Sequence, residues 1–237
     1  MKKTIQKTPR KTSRQTAPST TLSPQSTEPI FRYWAWIFLA WSLYRYFFKL
    51  PETVDEFVAK PLVFTLPLLW YVTSKERQPL SSIGLHTENL KEGITGGLIV
   101  GAALVVEGLI LNLLKYGSIT VHSIDAVTMY GLGGLAILTL ATSFTEELLC
   151  RGFLYDRLNR VIKSSVASAL ISAVLFTAYH LPILVMMHKF TGTTLVIFLS
   201  STMILGTING IVYGQTKSLV GPILIHFLWN MAVALLL

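Results

Sequence analysis

Seven mainly apolar stretches occupy most of this chain, near 31–49, 57–74, 94–114, 131–160, 166–187, 193–214 and 219–237. Each is close to the ~20 residues that a membrane-crossing helix needs. No other feature limits the fold as strongly. With 51% hydrophobic and only 14% charged residues, the chain is too apolar for a soluble domain. The expectation is an all-α fold, a polytopic transmembrane helix bundle of about seven spans, over residues 30–237. Residues 1–29 differ: they are rich in Ser, Thr, Pro and Lys, with six basic residues against Glu28 alone. Such a segment cannot bury enough surface to fold and reads as a disordered, basic, cytoplasmic tail. No aromatic residue interleaves its charges, so nucleic acid is not an expected partner. No small-residue cleavage site follows a short apolar core, so a cleaved signal peptide is not expected.

Orientation follows from the basic residues, which collect on cytoplasmic loops. With the N-terminus inside, fifteen Lys and Arg fall on the cytoplasmic side and five, Arg45, Lys49, Lys60, Lys115 and Lys189, fall outside or in the outer half. The segment Pro79–Gly93 reads as a short interfacial helix with Leu85 and Leu90 facing lipid.

The chemistry-bearing residues lie on three of the apolar stretches. Glu146 and Glu147 stand side by side with Arg151 four residues on; His180 follows Phe176 by four; Asn230 follows His226 by four. Ionisable residues inside a membrane are costly and mark a bundle interior or a wet cavity. At 1.5 Å of rise per residue, Glu146 lies roughly 21 Å from the cytoplasmic end of its helix, and His180 roughly 21 Å from the start of its own. His226 and Asn230 lie roughly 14 and 20 Å beyond Lys217. All four therefore share one layer, reached from the cytoplasmic side. The short turn between the fourth and fifth stretches makes those helices antiparallel neighbours.

Glu147 and Arg151 are spaced for a helical ion pair in its favoured orientation, which leaves Glu146 for another task. A carboxylate with a histidine and water is a general base for hydrolysis. A histidine and an amide on one helix face can hold a developing oxyanion. The pattern therefore points to cleavage of an amide bond by activated water. The bland alternative is a set of core histidines and interhelical hydrogen bonds. The single cysteine, Cys150, excludes a disulfide framework and a Cys-rich metal site. Glycines at Gly206, Gly210 and Gly214 permit close helix contact behind the site. Glu107 and Arg45 lie at compatible depths for a structural ion pair.

Glu146-Glu147-x-x-x-Arg151, Phe176-x-x-x-His180 and His226-x-x-x-Asn230 resemble the three motifs of the CPBP family, the intramembrane glutamic proteases. That family includes type II CAAX prenyl proteases and bacteriocin self-immunity proteins. The resemblance covers roughly residues 142–230. It implies that Glu146 and His180 activate water, that Arg151 orients Glu147, and that His226 and Asn230 form an oxyanion hole. It also implies no cofactor and no metal, a peptide or protein substrate at the inner leaflet, and contact with membrane lipid. Two other functions fit the same residues. One is a zinc-dependent protease using Glu146, His180 and His226 as ligands; the other is a non-catalytic immunity protein that binds a peptide toxin.

Overall fold

The computed structural model describes residues 26–121 and 125–236. The tail expected over residues 1–29 thus lies largely outside the described residues. The chain forms seven long helices, one in each predicted stretch: α1 Glu28–Phe47, α2 Glu52–Lys75, α3 Leu90–Tyr116, α4 Val127–Ile162, α5 Ser165–Met187, α6 Gly192–Thr216 and α7 Val220–Leu236. No strand occurs among the described residues, and the fold is an all-α helical bundle. Five helices, α2 to α6, are long and apolar enough to cross a membrane. The other two fall short: α7 has 17 residues, and α1 carries Glu28, Arg32 and Arg45. Large apolar side chains such as Trp36, Ile99, Leu114 and Met129 stand exposed on the outer faces, on a scale that a soluble monomer does not show. The molecule is an integral membrane protein.

Helix α4 touches α2, α5, α6 and α7, which makes it the axis of the bundle. Within it the stretch Leu148–Tyr155 is π-helical and buried throughout, before a regular α-helical end at Asp156–Ile162. The wider turn brings Gly152 against the carbonyl of Ile83, where an added Cβ would clash with the oxygen. Lys163, in the left-handed region at φ 57°, ends the helix, and the Ser164 hydroxyl accepts a bond from the Ala167 N–H to start α5. Two residues therefore reverse the chain, and α4 and α5 are antiparallel neighbours as the turn length predicts. Helix α6 lies close behind them. At Gly210 a Cβ would sit 2.9 Å from that of Ala169, and at Gly206 3.0 Å from that of Ala173. A second glycine ridge, unremarked in the sequence, joins α3 to α7: at Gly97 a Cβ would meet the Gly221 carbonyl at 2.9 Å.

Helices α1 and α2 cover the other side of α4 and α5 through Ile37, Trp41, Phe64, Leu68, Phe153 and Phe176. Helix α2 is irregular, with π-helical stretches at Asp55–Ala59, Pro61–Thr65 and Tyr71–Lys75. Pro61 has no N–H to give to the preceding turn, which is a known cause of such widening.

Two expectations are corrected. The segment Pro79–Gly93 is not one interfacial helix. It makes a single 3-10 turn at Leu80–Ile83, and Gly84 at φ 80° then diverts the chain before α3 starts at Leu90. Ile83 is buried and Leu85 packs on the core, whereas Leu80 and Leu90 are exposed. Arg157, buried in α4, fixes the turn by donating to the Ser82 carbonyl at 3.0 Å and to Glu76 at 2.7 Å. The second correction concerns Arg45, which pairs with Asp55 at the start of α2 rather than with Glu107. A tight α1–α2 turn places Asp55 beside Arg45, whereas α3, the helix of Glu107, packs chiefly on α7 and leaves Glu107 exposed. Equal depth did not make them neighbours.

Candidate active site

Glu147 is fully buried, and a single oxygen of it gathers three helices. Its Oε1 accepts from Arg151 Nη1 at 3.0 Å, from Asn209 Nδ2 at 2.9 Å and from His226 Nδ1 at 2.8 Å. These donors come from α4, α6 and α7. Arg151 is satisfied further by the Gly206 carbonyl at 2.9 Å and by the face of Phe176, 4.5 Å from the guanidinium carbon. Gly206 is therefore needed twice: it lets α6 approach α5, and it leaves its carbonyl open to the guanidinium. Burying charges is expensive unless each is paired and hydrogen-bonded; Glu147 and Arg151 pair with each other, while Glu147 Oε2 and Arg151 Nε have no hydrogen-bond partner among the described residues.

Glu146 faces another way, as neighbours on a helix do. Its Oε1 accepts from Lys60 Nζ of α2 at 2.8 Å. Its Oε2 is buried and has no hydrogen-bond partner. That oxygen lies 3.8 Å from His180 Nε2 and 3.9 Å from His226 Nε2. The other ring nitrogens are committed. His180 Nδ1 lies 3.0 Å from the Phe176 carbonyl, which can only accept, so Nδ1 carries the hydrogen and the lone pair of the neutral ring is on Nε2. His226 Nδ1 faces the Glu147 carboxylate in the same sense. Phe176, packed edge-on to both rings, holds their planes.

Five of the six residues singled out in the sequence, Glu146, Glu147, Arg151, His180 and His226, thus meet in one layer of the bundle. The sixth, Asn230, lies one turn beyond His226, half-buried, and makes no side-chain hydrogen bond among the described residues. His180 is the most exposed member of the group, at 27% against 14% for Glu146 and 4% for His226, so access is from its side. Three partners were missed. Lys60 had been counted among the outer charges, but it is buried beside Glu146 and also pairs with Glu56 at 2.6 Å. Glu56-x-x-x-Lys60 has the same spacing within an apolar stretch that singled out Glu147 and Arg151, so the signal was present. Asn209 sits between Gly206 and Gly210 on the small-residue ridge, and nothing local marks it as a ligand of Glu147.

Among the described residues no group of three His, Cys, Asp or Glu is gathered to hold a metal ion. One carboxylate oxygen of Glu146 and the Nε2 atoms of His180 and His226 face one another, with His180 the most exposed of the three.

No curated protein and no solved structure matches the chain. Residues 128–232, the segment that holds all three motifs, match the family model described as type II CAAX prenyl endopeptidase Rce1-like. This segment of the chain is thus similar to the CAAX-type membrane proteases of the CPBP family.

Proposed function

We propose that the protein is an intramembrane endopeptidase that hydrolyses a peptide bond of a membrane-tethered substrate, such as a prenylated C-terminal peptide, with water activated by Glu146 and His180. The observation that carries this reading is the free Oε2 of Glu146 facing two Nε2 atoms at 3.8 and 3.9 Å. Those separations are too long for direct hydrogen bonds and suit a bridging water, which needs two to four polar partners. Water there donates to Oε2 and to His180 Nε2. As its oxygen bonds to the scissile carbonyl carbon, one proton passes to the Glu146–His180 pair. That proton then goes to the amide nitrogen as the C–N bond breaks.

The carbonyl oxygen gains negative charge in this step. We assign its stabilisation to His226 and Asn230. His226 serves as a donor there when both its nitrogens carry hydrogen, and the Glu147 carboxylate at Nδ1 compensates that cation, in the manner of the carboxylate of a catalytic triad. Arg151 and Asn209 hold Glu147 in turn. The substrate is a peptide or protein reaching the site from the inner leaflet, with the N-terminus of the protease cytoplasmic.

Asn230→Ala tests this assignment with a prenylated peptide reporter and purified protein. Loss of one preorganised donor lowers turnover by roughly 10²–10³, with substrate affinity much less affected because the donor acts as charge develops. A mild Asn230→Ala effect, together with activity lost to a chelator and restored by zinc, would replace this mechanism with the metal-dependent one.

Orientation is tested separately. In a Cys150→Ser background, a cysteine at position 164, in the α4–α5 turn, is expected to label from the cytoplasm. One at position 118, after α3, is expected to label from outside. The reverse pattern would remove cytoplasmic entry of the substrate.

A further inference from the structure

Lys60 lies outside the family-matched segment, yet its ammonium is the only cation bonded to Glu146 among the described residues. A lysine in an apolar helix requires a buried counter-charge. Glu56, one turn earlier on α2 and 2.6 Å from Nζ, already supplies one. If Lys60 served only to satisfy its own burial, that bond would suffice. The second bond, across 86 residues to Oε1 of Glu146, does something the first does not. A carboxylate is a two-sided acceptor that swings about its last torsion. With Oε1 held by Nζ, Oε2 alone is presented to His180 and His226.

The charges lead to the same conclusion. The buried site holds the carboxylates of Glu56, Glu146 and Glu147 and the cations of Lys60 and Arg151. Arg151 serves Glu147. Without Lys60, Glu56 and Glu146 would share a low-dielectric pocket with no cation between them. When Glu146 takes the proton of water its charge disappears, and Glu56 still compensates the ammonium. Lys60 thus bonds to both carboxylates when Glu146 is ionised, and keeps a counter-charge in Glu56 when Glu146 is neutral.

We propose that Lys60, anchored by Glu56, is a positioning residue that pins one oxygen of Glu146 so that the other is aimed at the water between the histidines. This rests on the reading of Glu146 as the water-activating carboxylate. It gives α2 a part in the reaction: the π-helical turns on both sides of Lys60, at Asp55–Ala59 and Pro61–Thr65, set the rotation of the helix that delivers the ammonium.

The test uses the full chain in detergent or liposomes with the peptide reporter, and measures kcat, KM and melting temperature for Lys60→Met, Lys60→Arg, Glu56→Gln and Glu146→Gln. Lys60→Met is expected to lose about 10²-fold in kcat, the size of effect that misplacement of a reacting group produces, with KM close to that of the parent. Lys60→Arg is expected to recover the larger part of that loss, because it restores a charged donor. Folded Lys60→Met with parental kcat would overturn the proposal, as would a kcat loss that only tracks the fraction of folded protein. Should Lys60→Met not fold, Glu56→Gln decides. Removal of the anchor is expected to lower kcat with KM unmoved, and a parental kcat overturns the proposal. Inactive Glu146→Gln beside fully active Lys60→Met rejects the role of Lys60 alone, whereas active Glu146→Gln rejects the underlying mechanism with it.

Discussion

Glu146→Gln is expected to fold as the parent does and to lose turnover by about 10²–10⁴, the contribution of a general base. The amide oxygen of glutamine can still accept from Lys60, whose charge Glu56 continues to balance at 2.6 Å, so no cation is stranded. The amide cannot take a proton from water, and its NH₂ group would face the histidine nitrogens where Oε2 otherwise accepts from the bridging water. Rates of reporter cleavage at saturating substrate measure the effect. A Glu146→Gln protein that cleaves at the parental rate would show that Glu146 is not the base.

Glu147→Ala is expected to act on stability first. Three donors lose their shared acceptor at once, and Arg151 remains buried with only the Gly206 carbonyl and the Phe176 ring. Removing one partner of a buried ion pair costs about 3–5 kcal/mol, and thermal unfolding in detergent registers it. Activity is lost as well, because His226 is no longer held. Glu146→Ala should lower stability far less, since Lys60 keeps Glu56. Equal destabilisation by the two changes would contradict the division between a structural and a reactive carboxylate.

The seven helices were legible because a span of apolar residues leaves little choice of secondary structure, and all seven lie where the apolar stretches predict. The convergence of Glu146, Glu147, Arg151, His180 and His226 was legible for a related reason. Helices that cross one slab share a depth scale, so distance from a helix end becomes height in the bilayer. Height is not azimuth, however. Arg45 and Glu107 matched in depth and failed to meet because α3 packs on α7. Lys60 shows the same limit: a place in the outer half does not say that its side chain turns inward to Glu146, although Glu56, one turn before it, is spaced for a buried pair. Asn209 had no such companion, and only tertiary structure reveals that its amide reaches Glu147 at 2.9 Å. The break at Gly84 depended on a left-handed glycine and on Arg157, 75 residues away from Ser82, which no local pattern reports.

The junction at Glu147 Oε1 bears on how the enzyme comes into being. Its donors lie 4, 62 and 79 residues further along the chain. During synthesis α4 enters the membrane before α6 and α7 exist, so for that interval Glu147 has Arg151 alone, and Nε2 of His226 is not yet beside Glu146. Under the proposed mechanism, hydrolytic competence belongs to the finished bundle and arrives when α7 docks. A ribosome-bound intermediate that holds Glu146 and His180 but not α6 and α7 lacks His226 and two of the three donors to Glu147.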